Sequence, residues 1–562
     1  MTKIHTSPKA ALLTATAISV QFLMSAPATA GAGATCEEST GLECGTSSNT
    51  GDSVATAIGK GAIAGGGSGA TAVGSTSTAS GNESSAFGEN STASGLASTS
   101  IGEDSFASNT LSSSLGSSAN ASGRGANAIG SFSTATGAGS IALGSDGGTG
   151  FSGAQALADQ AIAIGSQTLA NAVGSIAIGG DGNDGNTVGA QASGSRAITI
   201  GPDSSASGAS SVIIGASSSG SNSGAVVLGS NSSSSGVASV GVGGDSKSVG
   251  FGSVAFGAGS TAKGNFGIAI GFGSTNAVSG GGNQTDGNIA IGGGDFGLVS
   301  SNATSFSASV TSPATANGGN SIALGTGTQS TGGNAVGVGA HATASGSSSV
   351  AIGGDGTDGD VFGAQAVGAN AVAIGADARA QQAGAIALGA GANAIRTNSL
   401  ALGTGAIADE FAAAFGQNAN ASKAGGVAFG TSTIAGFLST AIGRAAITAD
   451  HAVAVGWSSY ANTGATAVGY DSTALHAGST AIGANSITTR ANQVMLGSTG
   501  TSVTVADIDA STAAQSGNIY VMTVDQNGTV GRQASVLSPA GVEQITKQLI
   551  STLAVTDAQF DA

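Results

Sequence analysis

The sequence is poor in charged and aromatic residues, and each shortage argues against a class of protein. Charged residues make up 8% and aromatic residues 4% of its 562 residues. Only 14 residues are Lys or Arg, so no basic stripe is present to neutralise phosphates, which argues against a nucleic-acid partner. The 99 glycines are too sparse, and not strictly at every third position, for a collagen-like chain. Beyond the first thirty residues, no apolar run is long enough to span a membrane as a helix.

Cysteine and histidine are also scarce. Cys36 and Cys44 are the only cysteines; in an exported chain their closeness favours a local disulfide, with an interchain bridge as the alternative. His341, His451 and His476 fall in separate repeats without a paired nucleophile or metal-ligand spacing, so solvent-facing strand or turn positions are expected for them. The sequence therefore predicts no enzyme, no catalytic residue and no cofactor.

Residues 1–30 have the pattern of an export signal. Two lysines precede an apolar stretch over residues 10–24, and Ala28-Thr29-Ala30 offers a small-x-small cleavage site. The alternative, an N-terminal membrane helix, is disfavoured because the apolar stretch is shorter than the roughly 20 residues that a span needs. We therefore predict that the chain is exported and that the signal is followed by an N-terminal linker, residues 31–52, which contains the cysteine pair.

What the sequence has in abundance is a short repeat that ends in glycine. Glycines that follow an aliphatic residue recur mostly at intervals of 14 residues, as Gly325, Gly339 and Gly353 do. Small and aliphatic residues alternate with a period of two before these glycines, which indicates two short strands per repeat joined by glycine-bearing turns. About 29 such repeats over residues 53–497 predict a β-solenoid.

So short a coil is narrow, and this places its side chains. Alanine, serine and glycine are expected inside the coil, and aliphatic residues such as Ile322, Leu324 and Val336 outside it. Coils stack about 4.7–4.9 Å apart, which predicts a rod on the order of 140 Å long with an aliphatic stripe. That stripe would expose more than about 1,000 Å², against about 300–600 Å² for the largest patch of a soluble monomer. Sister chains are the simplest cover, so we expect a homo-oligomer.

The repeat resembles the head repeat of trimeric autotransporter adhesins, the YadA-like family. The pattern is G-x-x-S/A-x-A-x-G-x-x-S/A-x-A-I/V/L/F-G, with good copies at Gly88 to Gly102, Gly116 to Gly130 and Gly339 to Gly353. The resemblance implies an all-β fold, a left-handed parallel β-roll. It also implies a homotrimeric rod with its aliphatic strands facing the shared axis. A bacterial cell surface is the implied location and adhesion the implied activity; the surface receptor or matrix ligand is unknown.

The C-terminal part matches this family less completely. Residues 498–537 are neck-like, and residues 518–533 alternate around a turn as a β-hairpin does. Residues 538–562 begin with a helix cap and carry an apolar seam, which predicts the start of a coiled-coil stalk; a short amphipathic helix packed on the neck is the alternative. The family's membrane anchor has no counterpart before Ala562, so the chain is expected at the cell surface or, without an anchor, secreted.

Longer intervals between the glycines predict loops that leave the solenoid without breaking it. Two of these insertions are near-copies, and they place five aspartates among glycines: Asp181, Asp184, Asp355, Asp358 and Asp360. Calcium-binding repeats have such residues, but they occur in tandem, whereas these loops are isolated. Solvated turns are therefore the favoured interpretation and calcium loops the alternative. Loops that project from a regular rod are also natural contact points for a receptor.

Three functions remain to be compared. The first is a structural adhesin that binds host or abiotic surfaces, or sister cells, through a long rod. The second is a secreted structural or ice-binding β-solenoid, which would need a flat face of threonines in matching columns. The third, a polysaccharide-acting β-helix enzyme, would need longer coils and clustered acidic or aromatic residues. Trp457, Tyr460 and Tyr470 fall in successive coils and could form a binding patch, with local packing as the alternative.

Overall fold

The structure, a computed structural model, divides the chain into two compact units, Met1–Ala452 and Val453–Ala562. It describes residues 36–38, 41–45, 49–50, 54–66, 68–146, 152–182, 188–276, 287–293, 295–297, 309–356, 360–504, 506–516, 520–536 and 547–548. The predicted export signal lies outside the described residues, as does nearly all of the predicted stalk, 538–562. The two units together carry about 29 coils of about 14 residues, which confirms the predicted β-solenoid.

In the first unit, each regular coil contributes one strand to each of two parallel sheets. Sheet A is built from mostly three-residue strands, and Val336–Val338, for example, pairs in parallel with Val350–Ile352. The strands of sheet A are Gly41–Cys44, Ala55–Ile58, Thr71–Val73, Ser85–Phe87, Thr99–Ile101, Ser113–Leu115, Asn127–Ile129, Ile141–Leu143, Ile162–Ile164, Ile176–Ile178, Ile198–Ile200, Val212–Ile214, Val226–Leu228, Val240–Val242, Val254–Phe256, Ile268–Ile270, Ile289–Ile291, Ile322–Leu324, Val336–Val338, Val350–Ile352, Val372–Ile374, Ile386–Leu388, Leu400–Leu402, Ala413–Phe415, Val427–Phe429 and Thr440–Ile442.

Sheet B of the first unit is built from two-residue strands that follow the strands of sheet A along the chain. Its strands are Asn49–Thr50, Ile63–Ala64, Thr78–Ala79, Thr92–Ala93, Phe106–Ala107, Asn120–Ala121, Thr134–Ala135, Gln155–Ala156, Leu169–Ala170, Gln191–Ala192, Ser205–Ala206, Ser219–Gly220, Ser233–Ser234, Lys247–Ser248, Thr261–Ala262, Thr275–Asn276, Thr315–Ala316, Gln329–Ser330, Thr343–Ala344, Gln365–Ala366, Arg379–Ala380, Asn393–Ala394, Ile407–Ala408, Asn420–Ala421 and Ile447–Thr448. Two turns close each coil, one after each strand.

The glycine that ends a strand of sheet A is required by the stack itself. Gly353 has φ +146°, where an L side chain is strained, and a Cβ there would lie 2.2 Å from the carbonyl oxygen of Gly375 in the next coil. The same close approach recurs along the repeat glycines, so the glycine period of the sequence is the period of the turns. Other turn residues with positive φ are mostly Asn, Asp, Ser and Gly, which tolerate that conformation.

The interior of each coil is filled by small side chains. The central residue of a sheet A strand and the second residue of a sheet B strand point inward, as Ala373 and Ala380 do, and both are fully buried. Where serine replaces alanine, hydroxyls pair across the coil: the hydroxyls of Ser248 and Ser253 lie 2.7 Å apart. A buried hydroxyl with a partner avoids the free-energy cost of an unsatisfied polar group. The prediction of a small-residue interior is therefore confirmed for most coils.

Several coils depart from that prediction, and Thr199 and Asn276, for example, are fully buried at inward positions. Ile213 and Val227 occupy the inward position and are fully buried, so small residues are not alone inside the solenoid. Gly220 lies opposite Ile213, and a Cβ on Gly220 would come within 2.1 Å of the Ile213 Cδ1 atom. The coil therefore accepts a branched side chain where glycine supplies the missing volume, which the sequence reasoning did not consider.

A disulfide-linked hairpin lies at the N-terminal end of sheet A. Cys36–Glu38 pairs antiparallel with Gly41–Cys44, which itself pairs in parallel with Ala55–Ile58. Cys36 and Cys44 form a disulfide within the chain, as predicted, so the interchain alternative is wrong for this structure. The solenoid pairing thus begins at Gly41, inside the segment predicted as a linker. The Thr50 hydroxyl donates a hydrogen bond to Glu43 and holds the pKa of that carboxyl below its ordinary value.

The insertions leave the stack without disturbing its register. Ile141–Leu143 pairs in parallel with Ile162–Ile164 across the first insertion, and Ile289–Ile291 pairs with Ile322–Leu324 across the longest. The longest insertion adds a small antiparallel pair, Asp295–Gly297 with Ser309–Thr311. The prediction that coil phase resumes after each insertion is confirmed at these positions.

The second unit contains further coils and a C-terminal hairpin. Its solenoid strands are Val453–Val455, Tyr460–Ala461, Thr466–Val468, Thr473–Ala474, Thr480–Ile482 and Val494–Leu496. A short helix, Ile508–Ala513, starts after Asp507, whose side chain accepts a hydrogen bond from the Ala510 amide. This helix was not predicted. The predicted hairpin is present as Tyr520–Val524 paired antiparallel with Val530–Val536.

The Asp525 carboxylate fixes the turn of that hairpin. It accepts hydrogen bonds from the backbone amides of Thr529, at 2.8 Å, and Asn527, at 2.9 Å. The Thr529 amide is the main cause that lowers the pKa of Asp525 below its ordinary value of 3.8. Arg532 packs over the Tyr520 ring, with its guanidinium carbon 4.5 Å from the ring centroid. Turn and strands are therefore held by polar contacts at one end and a cation–π contact nearer the other.

Candidate interaction surfaces

The outward residues of sheet A form an apolar surface, here called the aliphatic face. It comprises the first and third residues of the 18 strands from Ile141–Leu143 to Val427–Phe429, all of which are apolar. Neighbours in the stack cover only part of each side chain, so Leu228 remains 39% and Ile352 38% exposed. The prediction that these aliphatic side chains point out of the coil is confirmed.

The aliphatic face narrows toward the N-terminal end of the first unit. In Thr71–Val73 and Thr99–Ile101 the first residue is polar and the third is apolar. The same arrangement returns in the last sheet A strand of this unit, Thr440–Ile442. The apolar surface is therefore two side chains wide over residues 141–429 and one side chain wide at either end.

The outward residues of sheet B form a surface of different character, here called the polar face. It carries the first residue of each two-residue strand, and these are mostly Thr, Asn, Gln and Ser, as in Thr134, Gln191 and Ser205. Occasional apolar residues interrupt it, among them Phe106, which is 40% exposed. The same coils therefore present an apolar surface on one side and a hydrogen-bonding surface on the other.

One insertion brings carboxylates together, as the aspartates of the sequence suggested. Asp355 and Asp360 lie with Asp377 so that one carboxylate oxygen of each falls within 4.8 Å of the others. Asp377 was not predicted, because it belongs to the turn of the following coil. Arg379 donates to Asp360 at 3.2 Å and Gly356 donates its amide to Asp377 at 3.1 Å. A positive charge already lies against this cluster, and calcium binding by it stays a prediction.

Of the other three predicted aspartates, the structure describes Asp181 alone, and Asp181 is not part of that cluster. Asp181 is described in the related insertion, within the stretch that ends at residue 182. Asp184 and Asp358 lie outside the described residues. In the parts of the chain that the structure describes, the cluster around Asp360 is the one group of acidic, histidine or cysteine side chains close enough to share an ion.

The aromatic residues of the second unit do meet. The rings of Trp457 and Tyr470 pack edge to face with centroids 5.0 Å apart, and the two side chains are 48% and 49% exposed. Tyr460 lies one strand along, at an outward position of Tyr460–Ala461, and is half-buried. The packing of Trp457 against Tyr470 agrees with the local-packing interpretation, and their exposure leaves the binding patch a prediction.

The three histidines occupy peripheral positions. His341 and His451 stand at turns with φ +57° and +58°, and His451 packs edge to face on Phe437 at 5.3 Å. His476 is partly buried, and its carbonyl oxygen accepts a hydrogen bond from the Ser479 hydroxyl. No histidine belongs to a potential metal group among the described residues.

One comparison with known proteins, the family model, agrees with the coil geometry. The family model for the YadA head domain repeat matches eleven segments: residues 66–91, 79–105, 121–146, 156–181, 248–274, 312–328, 330–355, 366–392, 380–406, 410–433 and 461–486. No curated protein matches the chain. Among solved structures, the collagen-binding domain of the Yersinia adhesin YadA matches with 23% identity, covering 41% of this chain and 84% of that one, at a TM-score of 0.13.

The matched segments together cover a little under half of the chain, and they identify those coils as repeats of the YadA head type. These repeats support an adhesin-type function for the solenoid. None of the helices among the described residues is both long and apolar enough to cross a membrane.

Proposed function

We propose that this chain is the head of a homotrimeric bacterial adhesin, in which the aliphatic faces of three copies meet and the polar faces point outward. The observation that carries the proposal is the extent of the aliphatic face. Its 18 strands stack over about 85 Å at the usual strand spacing, with two outward side chains per strand, which amounts to on the order of 850 Å² of apolar surface. Soluble monomers rarely expose contiguous apolar patches larger than about 300–600 Å².

A second copy of the same face is the partner that fits this surface. Identical ladders of Ile, Val and Leu repeat at the same spacing, so one stack offers ridges that match the grooves of another. Each fully buried aliphatic side chain stabilises an interface by about 1.5–3 kcal/mol, and most side chains of this face retain part of their surface for such burial. Three copies follow from the family, whose heads are trimeric.

The adhesive role is inferred from the polar faces, which stay exposed when the aliphatic faces are buried in the trimer. Three polar faces would surround the shared core, and each presents many weak hydrogen-bonding positions along a long surface. Repeated weak contacts on one rigid body gain strength through effective concentration, so attachment needs no single deep pocket. We propose attachment to host matrix proteins, abiotic surfaces or sister cells as the role. Export through residues 1–30 and display on the stalk begun at 538–562 belong to the same proposal.

The alternative, an ice-binding or secreted structural solenoid, has less support. It requires a regular threonine column, and the column of sheet B instead runs through Thr78, Thr92, Phe106, Asn120 and Thr134. Aromatic and amide side chains interrupt the spacing that an ordered water layer would need.

The proposal is tested with the full chain coupled to micrometre-sized beads. Beads should attach to collagen-coated or bare glass, or clump with one another, more than beads coated with albumin. Bead attachment at the albumin level on every surface, with no clumping, would contradict the adhesive role. Light scattering on the same preparation should give three times the chain mass of 52.0 kDa, and a monomer would contradict the trimer separately.

A further inference from the structure

Beside the polar face, around Lys247, lies a patch of exposed side chains, here called the Phe–Lys patch. It consists of Val237, Lys247, Val249, Phe251, Lys263 and Phe266. In the two sheet B strands before Lys247, the outward residue is a serine, Ser219 and Ser233. Two valines, two phenylalanines and two lysines, all exposed, therefore lie within about three coils.

The coil register places these side chains next to one another. Lys247 stacks on Thr261 in the next coil, and Lys263 follows Thr261 by two residues on the same outward side. One strand spacing of about 4.8 Å and two residues of about 3.3 Å each put the Cα atoms of the two lysines about 8 Å apart. Val249, two residues after Lys247, shares its outward side and lies in the same column as Lys263.

The two phenylalanines lie in the turns that follow these lysines, with Phe251 after Lys247 and Phe266 after Lys263. The Phe251 and Phe266 rings pack edge to face with centroids 5.3 Å apart, and the side chains are 48% and 60% exposed. Phe266 has φ +54°, an unusual conformation for a bulky residue. Gly252 leaves room for it, since a Cβ there would come within 3.1 Å of the Phe266 ring. The Asn265 side chain accepts a hydrogen bond from the Phe251 amide at 2.8 Å and steadies the turn.

The lysines of the patch have no acidic partner among the described residues. Among all the described residues, the ion pairs are Arg379 with Asp360 and Arg396 with Asp409. Both Lys247 and Lys263 are exposed. In a chain with a formal net charge of −16, two adjacent unpaired ammonium groups beside an exposed aromatic pair are matched by an anionic, partly apolar ligand.

We propose that the Phe–Lys patch docks an extended peptide segment of a partner protein with the pattern acidic–x–acidic–x–large apolar. In an extended chain, side chains at i, i+2 and i+4 share one face at a spacing of about 6.6 Å. The first carboxylate then pairs with Lys247, the second with Lys263, and the apolar side chain rests on Phe251 and Phe266. This inference rests on the proposed function to the extent that the polar face must point outward from the oligomer.

The test uses the full chain and a fluorescein-labelled peptide that carries two aspartates at alternate positions followed, two residues later, by phenylalanine. Fluorescence anisotropy should show binding that weakens about tenfold or more in Lys247→Glu/Lys263→Glu and in Phe266→Ser. A peptide with asparagine for both aspartates should bind as weakly to wild type as the first peptide binds to the double variant.

Two matched variants serve as controls. Lys60→Glu changes an exposed lysine in a coil without neighbouring aromatic residues, and Phe411→Ser changes a 64% exposed turn phenylalanine with φ +54°. The cation near Phe411, Arg396, is already paired with Asp409 at 3.1 Å. Both controls should bind the peptide within about twofold of wild type, because exposed charges distant from a ligand are screened.

Equal peptide binding by wild type and both patch variants would overturn the proposal. So would lysine-dependent binding of heparin, or of vesicles rich in phosphatidylserine, by a chain that does not bind the peptide. Light scattering on each variant separates the two proposals: a monomeric wild type contradicts the trimer alone, whereas a trimer without peptide affinity contradicts the patch alone.

Discussion

The two outward faces of one coil differ in chemical character, since one is apolar and the other polar. In the coil that begins at Val336, sheet A presents Val336 and Val338 outward, whereas sheet B presents Thr343. Between them lie the buried small residues Gly337 and Ala344, and small residues fill the same inward positions in most coils. The interior and the turn glycines therefore specify the fold, and the outward positions are left to specify what the coil contacts.

This separation explains how so long a chain keeps one fold while its surface changes. A substitution at an outward position does not alter the parallel register, which depends on backbone hydrogen bonds and on the small interior. The Phe–Lys patch illustrates the point, because Ser248 and Ala262 remain buried beneath it. Function in such a molecule is a property of columns of residues across coils rather than of a pocket.

The largest effect is expected from charging the aliphatic face. Val338→Asp/Val350→Asp/Ile352→Asp places three carboxylates on two neighbouring strands of sheet A, where each replaces burial that stabilises an interface by about 1.5–3 kcal/mol. The oligomer should dissociate, and light scattering should give the mass of one chain. Because the three side chains point out of the coil, circular dichroism should retain its β-sheet signal.

The matched control charges the opposite face of these two coils and of the coil before them. Gln329→Asp/Thr343→Asp/Gln365→Asp adds the same three carboxylates to successive strands of sheet B. This variant should keep the oligomeric mass. A mass unchanged in both variants, or lowered in both, would remove the distinction between the two faces.

A smaller but still large effect is expected from the interior at Gly220. Gly220→Ala places a methyl group within 2.1 Å of the Ile213 Cδ1 atom and should lower the free energy of unfolding by about 1–3 kcal/mol through overpacking. Ile213→Ala added to it should restore most of that loss. Urea unfolding followed by circular dichroism measures both variants, and additive losses in the double variant would contradict the close contact.

The N-terminal hairpin should respond more locally. Cys36→Ser/Cys44→Ser removes the disulfide that closes Cys36–Glu38 onto Gly41–Cys44 and should destabilise this hairpin by about 2–4 kcal/mol. Hydrogen exchange should accelerate in residues 41–44 while residues 350–352 keep their protection. Faster exchange throughout the stack would show instead that the coils unfold as one cooperative unit.

The smallest effect is expected at the C-terminal hairpin, as a dependence on pH. Because hydrogen bonds lower the folded pKa of Asp525, its contribution to stability is present above the ordinary value of 3.8 and is lost as pH falls through the lower folded value. The NMR shift of the Thr529 amide should report this loss in acid. Asp525→Asn should remove the pH dependence, and an Asn variant that titrates as wild type does would contradict the assignment.

Much of this architecture could be predicted from the sequence because steric constraints within each coil produce the period of the repeat. Glycines equivalent to Gly353 recur because only glycine fits where successive turns touch. Aliphatic residues such as Ile352 recur at outward positions because mostly small residues fit inside the coil. Both rules act on residues near one another in the chain. The cysteine hairpin was predictable for the same reason, because its two cysteines are only eight positions apart.

The remaining features depend on residues that are neighbours only across coils. Asp377 joins Asp355 from the next turn, after an insertion of irregular length that hides the correspondence. Phe266 meets Phe251 because the stack aligns their turns, and the two are 15 positions apart rather than one repeat length. Ile213 is buried only because Gly220 faces it. Such contacts require the register of the coils, which a residue-by-residue reading of the sequence does not supply.

Site-specific cross-linking tests most directly which face the copies share. Single-cysteine variants Val338→Cys and Thr343→Cys of the full chain, with the native disulfide intact, are treated with a bis-maleimide of about 10 Å, the usual distance between packed sheets. We expect Val338→Cys to yield covalent dimers on a denaturing gel and Thr343→Cys to remain a single chain. Cross-linking through position 343 with none through 338 would contradict the assignment of the aliphatic face as the shared surface.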